Sequence, residues 1–301
     1  MDGVTVRAPA KLNLSLRVGP RRADGYHPLA TVFQAVELYD SVKARPAEDG
    51  EFEITVSGDD AGLVPADGDN LAMRAARLLA ADTGVAHGVR LHVHKSIPVA
   101  GGMAGGSADA AGALVACDAL WGTRVDRETM LKLAAQLGSD VPFCVVGGTA
   151  IGSGRGEQVS PVLARGRYDW VIAIGEEGMA TPGVYSEVDR LRAGREVSDP
   201  VVPSDIMSAL RAGDAEALGR ALSNDLQPAA VGLRPDLAGV LDVGIECGAL
   251  GSMVSGSGPT CVFLAGDDSH AIDIATALTA TGVCRAVRRA AGPVSGPRVV
   301  G

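Results

Sequence analysis

Between Pro98 and Ala111 the chain reads Pro-Val-Ala-Gly-Gly-Met-Ala-Gly-Gly-Ser-Ala-Asp-Ala-Ala, a glycine-rich loop that runs straight into an alanine-rich helix predicted over 107–120. Few arrangements can use such a stretch. Glycine has no Cβ, so the loop can adopt left-handed backbone angles and let a ligand approach its amides closely. The helix behind it starts with unpaired N–H groups and the positive end of its dipole. Together, Gly101 to Ser107 suit a phosphate cradle built from backbone rather than from lysine side chains. The competing reading is a plain loop before a structural helix.

Better-known phosphate binders do not fit. A P-loop needs Gly-Lys-Ser/Thr, yet Lys11, Lys43, Lys95 and Lys132 never follow a glycine. The dinucleotide fingerprint is approached by Gly152-Ser153-Gly154-Arg155-Gly156, which closes one residue early. Neither His-Arg-Asp nor Asp-Phe-Gly occurs, so the protein-kinase signature is absent. A chain of 301 residues suits one large domain or two ordinary ones. Its net charge of −9 argues against a nucleic-acid partner. It does not forbid an anion site, because the field inside a cleft can oppose the net charge. The five cysteines are widely spaced and read as reduced thiols of a cytosolic protein. His92 and His94 lie two apart on one strand face without a third ligand and read as structural, so no metal site is expected. The N-terminus shows no apolar leader, and no stretch approaches ~18 apolar residues. A cytoplasmic protein without a membrane partner is expected.

Along the chain, strands and helices mix without a regular βαβ alternation, which points to an α+β fold. From Leu12 to Leu16 apolar and polar residues alternate, so Leu12, Leu14 and Leu16 should share one strand face and Lys11, Asn13 and Ser15 the other. Further strands are predicted over 30–36, 51–57, 89–95, 170–174, 261–264 and 284–289, and helices over 70–81, 127–137, 205–211, 214–222, 237–247 and 267–279. Ser139 to Phe143 should leave the helix before it abruptly, and Ser107 should cap the helix of the phosphate cradle. The Gly/Pro/Ser-rich tail from Ala291 is expected to fray.

Three segments stand apart: Pro9-Ala10-Lys11-Leu12-Asn13, the loop from Pro98 to Ala111, and Val254-Ser255-Gly256-Ser257-Gly258-Pro259-Thr260. In this order they resemble the motifs of the GHMP kinase superfamily, whose members phosphorylate small-molecule hydroxyls with ATP. Lys11-Leu12-Asn13-Leu14, Gly25-Tyr26-His27-Pro28-Leu29, Phe33-Gln34, Gly138 to Phe143 and Thr181-Pro182-x-x-Tyr185 are similar to the branch acting on an alcohol that carries a cytidine diphosphate group, in the non-mevalonate route to isoprenoid precursors. The resemblance implies a two-lobed fold with the active site between the lobes. An ATP-binding domain would cover 1–165 and a substrate-binding domain 166–301. ATP is the implied co-substrate, Mg²⁺ the implied ion, and a monomer or weak homodimer the implied assembly.

Roles follow residue by residue from the same resemblance. Asp140 would take the proton of the substrate hydroxyl, and Lys11 would hold that carboxylate and offset charge on the transferred phosphoryl group. Asn13 would touch a substrate hydroxyl or the carboxylate. Tyr26, His27, Thr181 and Tyr185 would hold the cytosine end, the two tyrosines by stacking. Pro98, Val99, Ala100, Gly101, Gly102, Met103, Ala104, Gly105, Gly106, Ser107 and Ala108 would carry the nucleotide, with Asn70 and Lys95 toward adenine or ribose. Asp109 would have to point away from the phosphates or share a magnesium ion. The family's loop reads Gly-Leu-Gly-Gly-Gly-Ser where this chain has Gly102-Met103-Ala104-Gly105-Gly106-Ser107, so Ala104 replaces a glycine. Two other readings stay open: a GHMP kinase for a different alcohol, such as mevalonate or homoserine, and a nucleotide-binding regulator without catalysis.

Overall fold

The computed structural model describes residues 3–300. Its larger sheet grows from two long antiparallel strands, β1 (Val4–Val18) and β2 (Leu29–Ala47). The strand β4 (Gly88–Lys95) pairs with β2, and β3 (Phe52–Gly58) runs parallel to β4 at the edge. A short hairpin, β5 (Thr149–Ser153) and β6 (Gln158–Pro161), extends from the first half of β2. Two later pieces return to β1: β8 (Ser223–Asn224) in parallel and β12 (Arg298–Val299) antiparallel. The tail expected to fray is therefore tied into the sheet, and Ser295 also bridges to Gly147.

The alternation expected along Leu12 to Leu16 breaks. The register of β1 on β2 slips between Asn13 and Ser15. Leu12 and Leu14 stay in the main core, while Leu16 joins a second core and borders the cleft described below. A bulge of this kind shifts every following side chain to the opposite face.

Helix α1 (Leu71–Thr83) and helix α2 (Gly105–Trp121) cover the inner face of this sheet. Residues buried in α2 lie on nearly every side, from Ala108 to Ala111 and on to Cys117. Its alanines and glycines permit this, because small side chains let strands approach the helix axis. A Cβ on Gly112 would stand 2.8 Å from Val42 of β2. Helix α3 (Arg127–Leu137), capped by Asp126 onto the Thr129 N–H as its sequence suggests, leads into the short helix α4 (Val141–Val146). The segment expected to leave α3 abruptly does so after Leu137, and it turns helical again from Val141, with Pro142 in the first turn where a missing N–H costs nothing.

The second sheet is antiparallel, ordered β11 (Ala286–Gly292), β7 (Tyr168–Ile174), β10 (Cys261–Ala265) and β9 (Gly251–Val254). It is a wall between two cores. Tyr168, Trp170, Ile172 and Ile174 face the main core, while Val171 and Ala173 face the second. A strand buried on both faces loses the polar alternation, which is why Trp170 to Ile174 of β7 reads as one apolar run. The second core is closed by α5 (Thr181–Leu191), α8 (Gln227–Leu233), α9 (Asp236–Glu246) and α10 (Asp268–Thr281). Two helices, α6 (Ser204–Ala212) and α7 (Ala215–Ala221), lie against the main core. Trp170 Nε1 donates to Gln34 Oε1 over 3.0 Å, joining the two sheets. Helices α5 and α8 were not foreseen from the sequence.

All five cysteines are free thiols. His92 and His94 share hydrogen bonds with Thr55 and Ser57 on the exposed sheet face. Among the described residues no group of three or more metal-ligating side chains comes together, and no helix is long and apolar enough to cross a membrane.

Candidate functional site

A cleft of about 710 Å³ opens where β1, the glycine loop, α5 and the segment after β9 meet. The loop forms one wall. Its backbone is fastened from both sides: the Lys11 N–H of β1 donates to the Met103 carbonyl (3.2 Å), and Ser255 Oγ donates to the Gly102 carbonyl (3.2 Å). Gly102 has φ +77°, and a Cβ there would stand 2.0 Å from the Ser255 carbonyl oxygen. Only glycine fits this crossing of two loops.

Helix α2 begins at Gly105, two residues before the expected start, and its N-cap is Ala104 rather than Ser107. Alanine has no side chain that can cap, so the first N–H groups of α2 gain no side-chain partner. Gly105, Gly106 and Ser107 border the cleft in that first turn, as do Pro98, Ala100, Gly101, Gly102 and Ala104 of the loop. Val99, Met103 and Ala108 do not line it; the Met103 and Ala108 side chains sit in the main core.

Lys95 and Asn70 require correction as nucleotide contacts. Lys95 is 1 % exposed, and its ammonium is held by Asp40 and by Asp109 (2.6 Å to the latter). A long apolar stem carries this charge under the loop, where a Cβ on Gly105 would stand 3.2 Å from Lys95 Nζ. Asp40 in turn accepts from the backbone N–H groups of Ser96 (2.6 Å) and Ile97 (2.9 Å). Asp109 does point away from the phosphate cradle, but into this buried cluster. Burial pushes its carboxyl up to about 8, against the pull of Lys95. Lys95 itself is raised: burial alone would lower it, but the two carboxylates outweigh that. Asn70 caps α1, accepting from the Ala72 N–H (2.9 Å) and donating to the Pro65 carbonyl (2.7 Å), and does not reach the cleft.

Lys11 and Asp140 come together on the cleft floor. Lys11 Nζ lies 3.5 Å from Asp140 Oδ2, with the lysine side chain 6 % and the aspartate 31 % exposed. The carboxylate is open to a ligand while its cation is enclosed. Asp140 reaches this place from the junction of α3 and α4, and Lys11 from the middle of β1. The Lys11 ammonium also lies 5.5 Å from the Phe33 ring centroid and donates to Asn13 Oδ1 (2.5 Å). Asn13 Nδ2 donates to Thr31 Oγ1 (2.9 Å).

The other end of the cleft is aromatic. Tyr26 is 55 % exposed at its mouth, with the Arg155 guanidinium 5.0 Å above the ring. His27 is buried, stacks on Tyr185 at 5.2 Å between centroids, and bonds through Nε2 to Asp189 Oδ1 (2.8 Å). Burial, with the Asp140 charge as a smaller cause, pushes the Tyr185 phenol up, so it stays a neutral hydrogen-bonding group. Thr181 and Ser257 exchange a hydroxyl–hydroxyl bond of 2.9 Å that joins α5 to the third motif. Asn224 pins that motif by donating to the Val254 (2.8 Å) and Gly256 (2.7 Å) carbonyls.

Sequence reasoning missed Asp189, Thr31 and Arg155. Asp189 lies in a helix that the sequence did not announce, and the place of Thr31 depends on the pairing of β2 with β1. Only Arg155 had a local signal, in the Gly152–Gly156 turn.

Comparison with known proteins places this geometry. A profile of the GHMP kinases N terminal domain matches residues 70–148, and one of the GHMP kinases C terminal matches residues 206–284. The chain is 53% identical to a 4-diphosphocytidyl-2-C-methyl-D-erythritol kinase of Leifsonia xyli subsp. xyli, over 100% of this chain and 99% of that one. It is 54% identical to the protein of the same name from Streptomyces coelicolor, over 99% of both. Among solved structures, a 4-(cytidine 5'-diphospho)-2C-methyl-D-erythritol kinase superposes with a TM-score of 0.79 at 33% identity, covering 95% of this chain and 98% of that one. A homoserine kinase from Cytophaga hutchinsonii shares the fold with a TM-score of 0.77 at 20% identity, covering 100% and 98% of the two chains.

Proposed function

Because this chain belongs to the GHMP kinase family, among relatives that are 4-diphosphocytidyl-2-C-methyl-D-erythritol kinases, we propose that it transfers the γ-phosphoryl group of ATP to the 2-hydroxyl of that cytidine-bearing alcohol. The product belongs to the non-mevalonate route to isoprenoid precursors. The observation that carries this reading is the Lys11–Asp140 pair, 3.5 Å apart in the cleft bordered by the glycine loop.

The triphosphate rests on the amides of Gly101–Ser107 and the N-terminus of α2, which favour negative charge. The acceptor hydroxyl sits beside Asp140, whose exposed carboxylate takes its proton as the new P–O bond forms. Lys11 holds the carboxylate in place and offsets charge on the moving phosphoryl group. In a loose transition state, positioning and charge balance matter more than base strength. At the far end, Tyr26, His27 and Tyr185 receive the cytosine ring, and Thr181 closes the wall beside it.

Mg²⁺ suits this site as a companion of ATP rather than as a caged ion. Ser107 and Asp140, which both line the cleft, carry oxygens that could hold the ion. With Asp109 committed to Lys95, the rest of the shell falls to phosphate and water, as Mg²⁺ commonly accepts. Bound there, the ion neutralises phosphate charge. The purified protein should convert ATP to ADP only when the cytidine-bearing alcohol is supplied. Equal turnover with mevalonate or homoserine, or none with any alcohol, refutes the reading.

A further inference from the structure

We propose that Thr31 is a positioning residue for the transfer: its hydroxyl fixes the orientation of the Asn13 amide and, through it, of the Lys11 ammonium. The inference rests on the reading that Lys11 and Asp140 flank the reacting hydroxyl. Direction follows from the chemistry at one end of a chain of bonds. The Ser15 carbonyl has no proton and can only accept. Thr31 Oγ1 lies 2.7 Å from it, so the hydroxyl proton points there. The oxygen lone pair then faces the Asn13 amide at 2.9 Å, and only the NH₂ side of that amide can satisfy it. Asn13 Oδ1 is thereby turned toward Lys11 Nζ, 2.5 Å away. With the amide reversed, its NH₂ would meet the ammonium donor against donor.

These groups lie where water does not compete. Lys11, Asn13, Thr31 and Ser15 are 5 %, 2 %, 0 % and 0 % exposed. An unmatched donor there carries its full desolvation cost. With one ammonium proton committed to Asn13, the others are left for Asp140 and for the ligand side. Strand pairing places Thr31 for this role. Phe33 of β2 pairs with Asn13, and Thr31, two residues from Phe33, shares its face. From there the Thr31 hydroxyl reaches both the Asn13 amide and the Ser15 carbonyl.

The test is a graded series at position 31, assayed with ATP and the cytidine-bearing alcohol well below each variant's Tm. Thr31→Val keeps the shape but can neither donate nor accept. It should lower kcat about 10- to 100-fold, as loss of alignment does, with KM for both substrates within about threefold of wild type. Its affinity for ATP alone, by calorimetry, should also stay within about threefold, since the glycine loop is untouched. Thr31→Ser should restore kcat to within about threefold. Thr31→Cys, a weak donor and acceptor, should fall between and decides the matter if Thr31→Val does not fold. Wild-type kcat in Thr31→Val or Thr31→Cys, or a Thr31→Ser variant as impaired as Thr31→Cys, overturns the relay while leaving the kinase reading intact. A wild-type protein without turnover sinks the kinase reading itself.

Discussion

Replacing Lys95 by Met removes the one cation from a cluster in which Asp40 is 0 % and Asp109 2 % exposed. Methionine fills nearly the same tube of space, so the change is mainly one of charge. Asp40 would keep its two backbone donors, but Asp109 would keep none: its Oδ1 already has no partner, and the one donor to its Oδ2 is Lys95, with the Asp40 carboxyl beside it. Breaking a buried pair in this way costs about 3–5 kcal/mol. For a chain of 301 residues the unfolding entropy is about 0.6 kcal/mol per degree, which turns that cost into a Tm lower by about 5–8 °C. Because Lys95 Nζ sits under Gly105, the KM for ATP should rise as well.

The pH dependence has a definite sign. The Asp109 carboxyl is raised in the folded protein to about 8 by burial, with Lys95 opposing. A group raised above its unfolded value contributes stability below that unfolded value, and the contribution is lost as pH climbs through the folded value. Loss of Lys95 raises it further, so the deficit of Lys95→Met should be smallest near pH 5 and widen toward pH 9. Adding Asp109→Asn should recover part of the lost stability at the alkaline end. Thermal unfolding followed by circular dichroism at several pH values measures both effects. An unchanged Tm in Lys95→Met, with only the KM for ATP raised, would refute the buried-cluster account and return Lys95 to the nucleotide.

Other variants separate the parts of the cleft. Asp140→Asn should lower kcat about 10²- to 10⁴-fold while ATP affinity by calorimetry changes little; a near-normal rate would remove Asp140 from the proton transfer. Gly102→Ala forces a Cβ to 2.0 Å from the Ser255 carbonyl at a positive φ, so it should raise the KM for ATP at least about tenfold and lower Tm; wild-type kinetics would mean that the two loops do not cross as described. Tyr185→Leu should weaken binding of the cytidine-bearing substrate by about 1–3 kcal/mol and leave ATP unaffected, read from the two KM values.

The parts of this molecule that could be read from its sequence are those whose causes are local. The glycine loop announces itself because close backbone approach demands glycine, as at Gly102, and Asp126 marks the start of α3 by ordinary capping chemistry, while Gly138 follows its end with extended backbone. Lys11 and Asp140, 129 positions apart, were paired only through the family resemblance. What stayed hidden depends on distant partners. Lys95 reads as a strand-end lysine free to meet a nucleotide; its enclosure comes from Asp40 and Asp109, on a different strand and a helix. The alternation from Leu12 to Leu16 is real as a pattern, yet a bulge set by pairing with β2 turns Leu16 to the other core. The Gly/Pro/Ser-rich tail has the composition of a loose end, but an edge of β1 was available to pair with it.

Ala104 shows that an L-residue can hold the backbone angles that glycine favours in this loop. At a position where the resemblance to the superfamily leads one to expect glycine, this chain places alanine at φ 58° and ψ 36°, the left-handed angles that glycine would take. The cost for an L-residue is about 1–2 kcal/mol. Part of it is offset because alanine leaves the unfolded chain less conformational freedom than glycine, worth about 0.4–1 kcal/mol. The remainder is small enough for neighbouring contacts to carry. On one side, the Met103 carbonyl and Gly102 carbonyl are held by Lys11 and Ser255; on the other, the Ala104 carbonyl accepts from the Ala108 N–H and so belongs to the ladder of α2. Ala100 is held at φ 51° in the same loop, and its carbonyl accepts from the Met179 N–H. Strain at two alanines, in a segment clamped by β1, α2 and the third motif, is what a loop shaped for phosphate rather than for its own comfort should show.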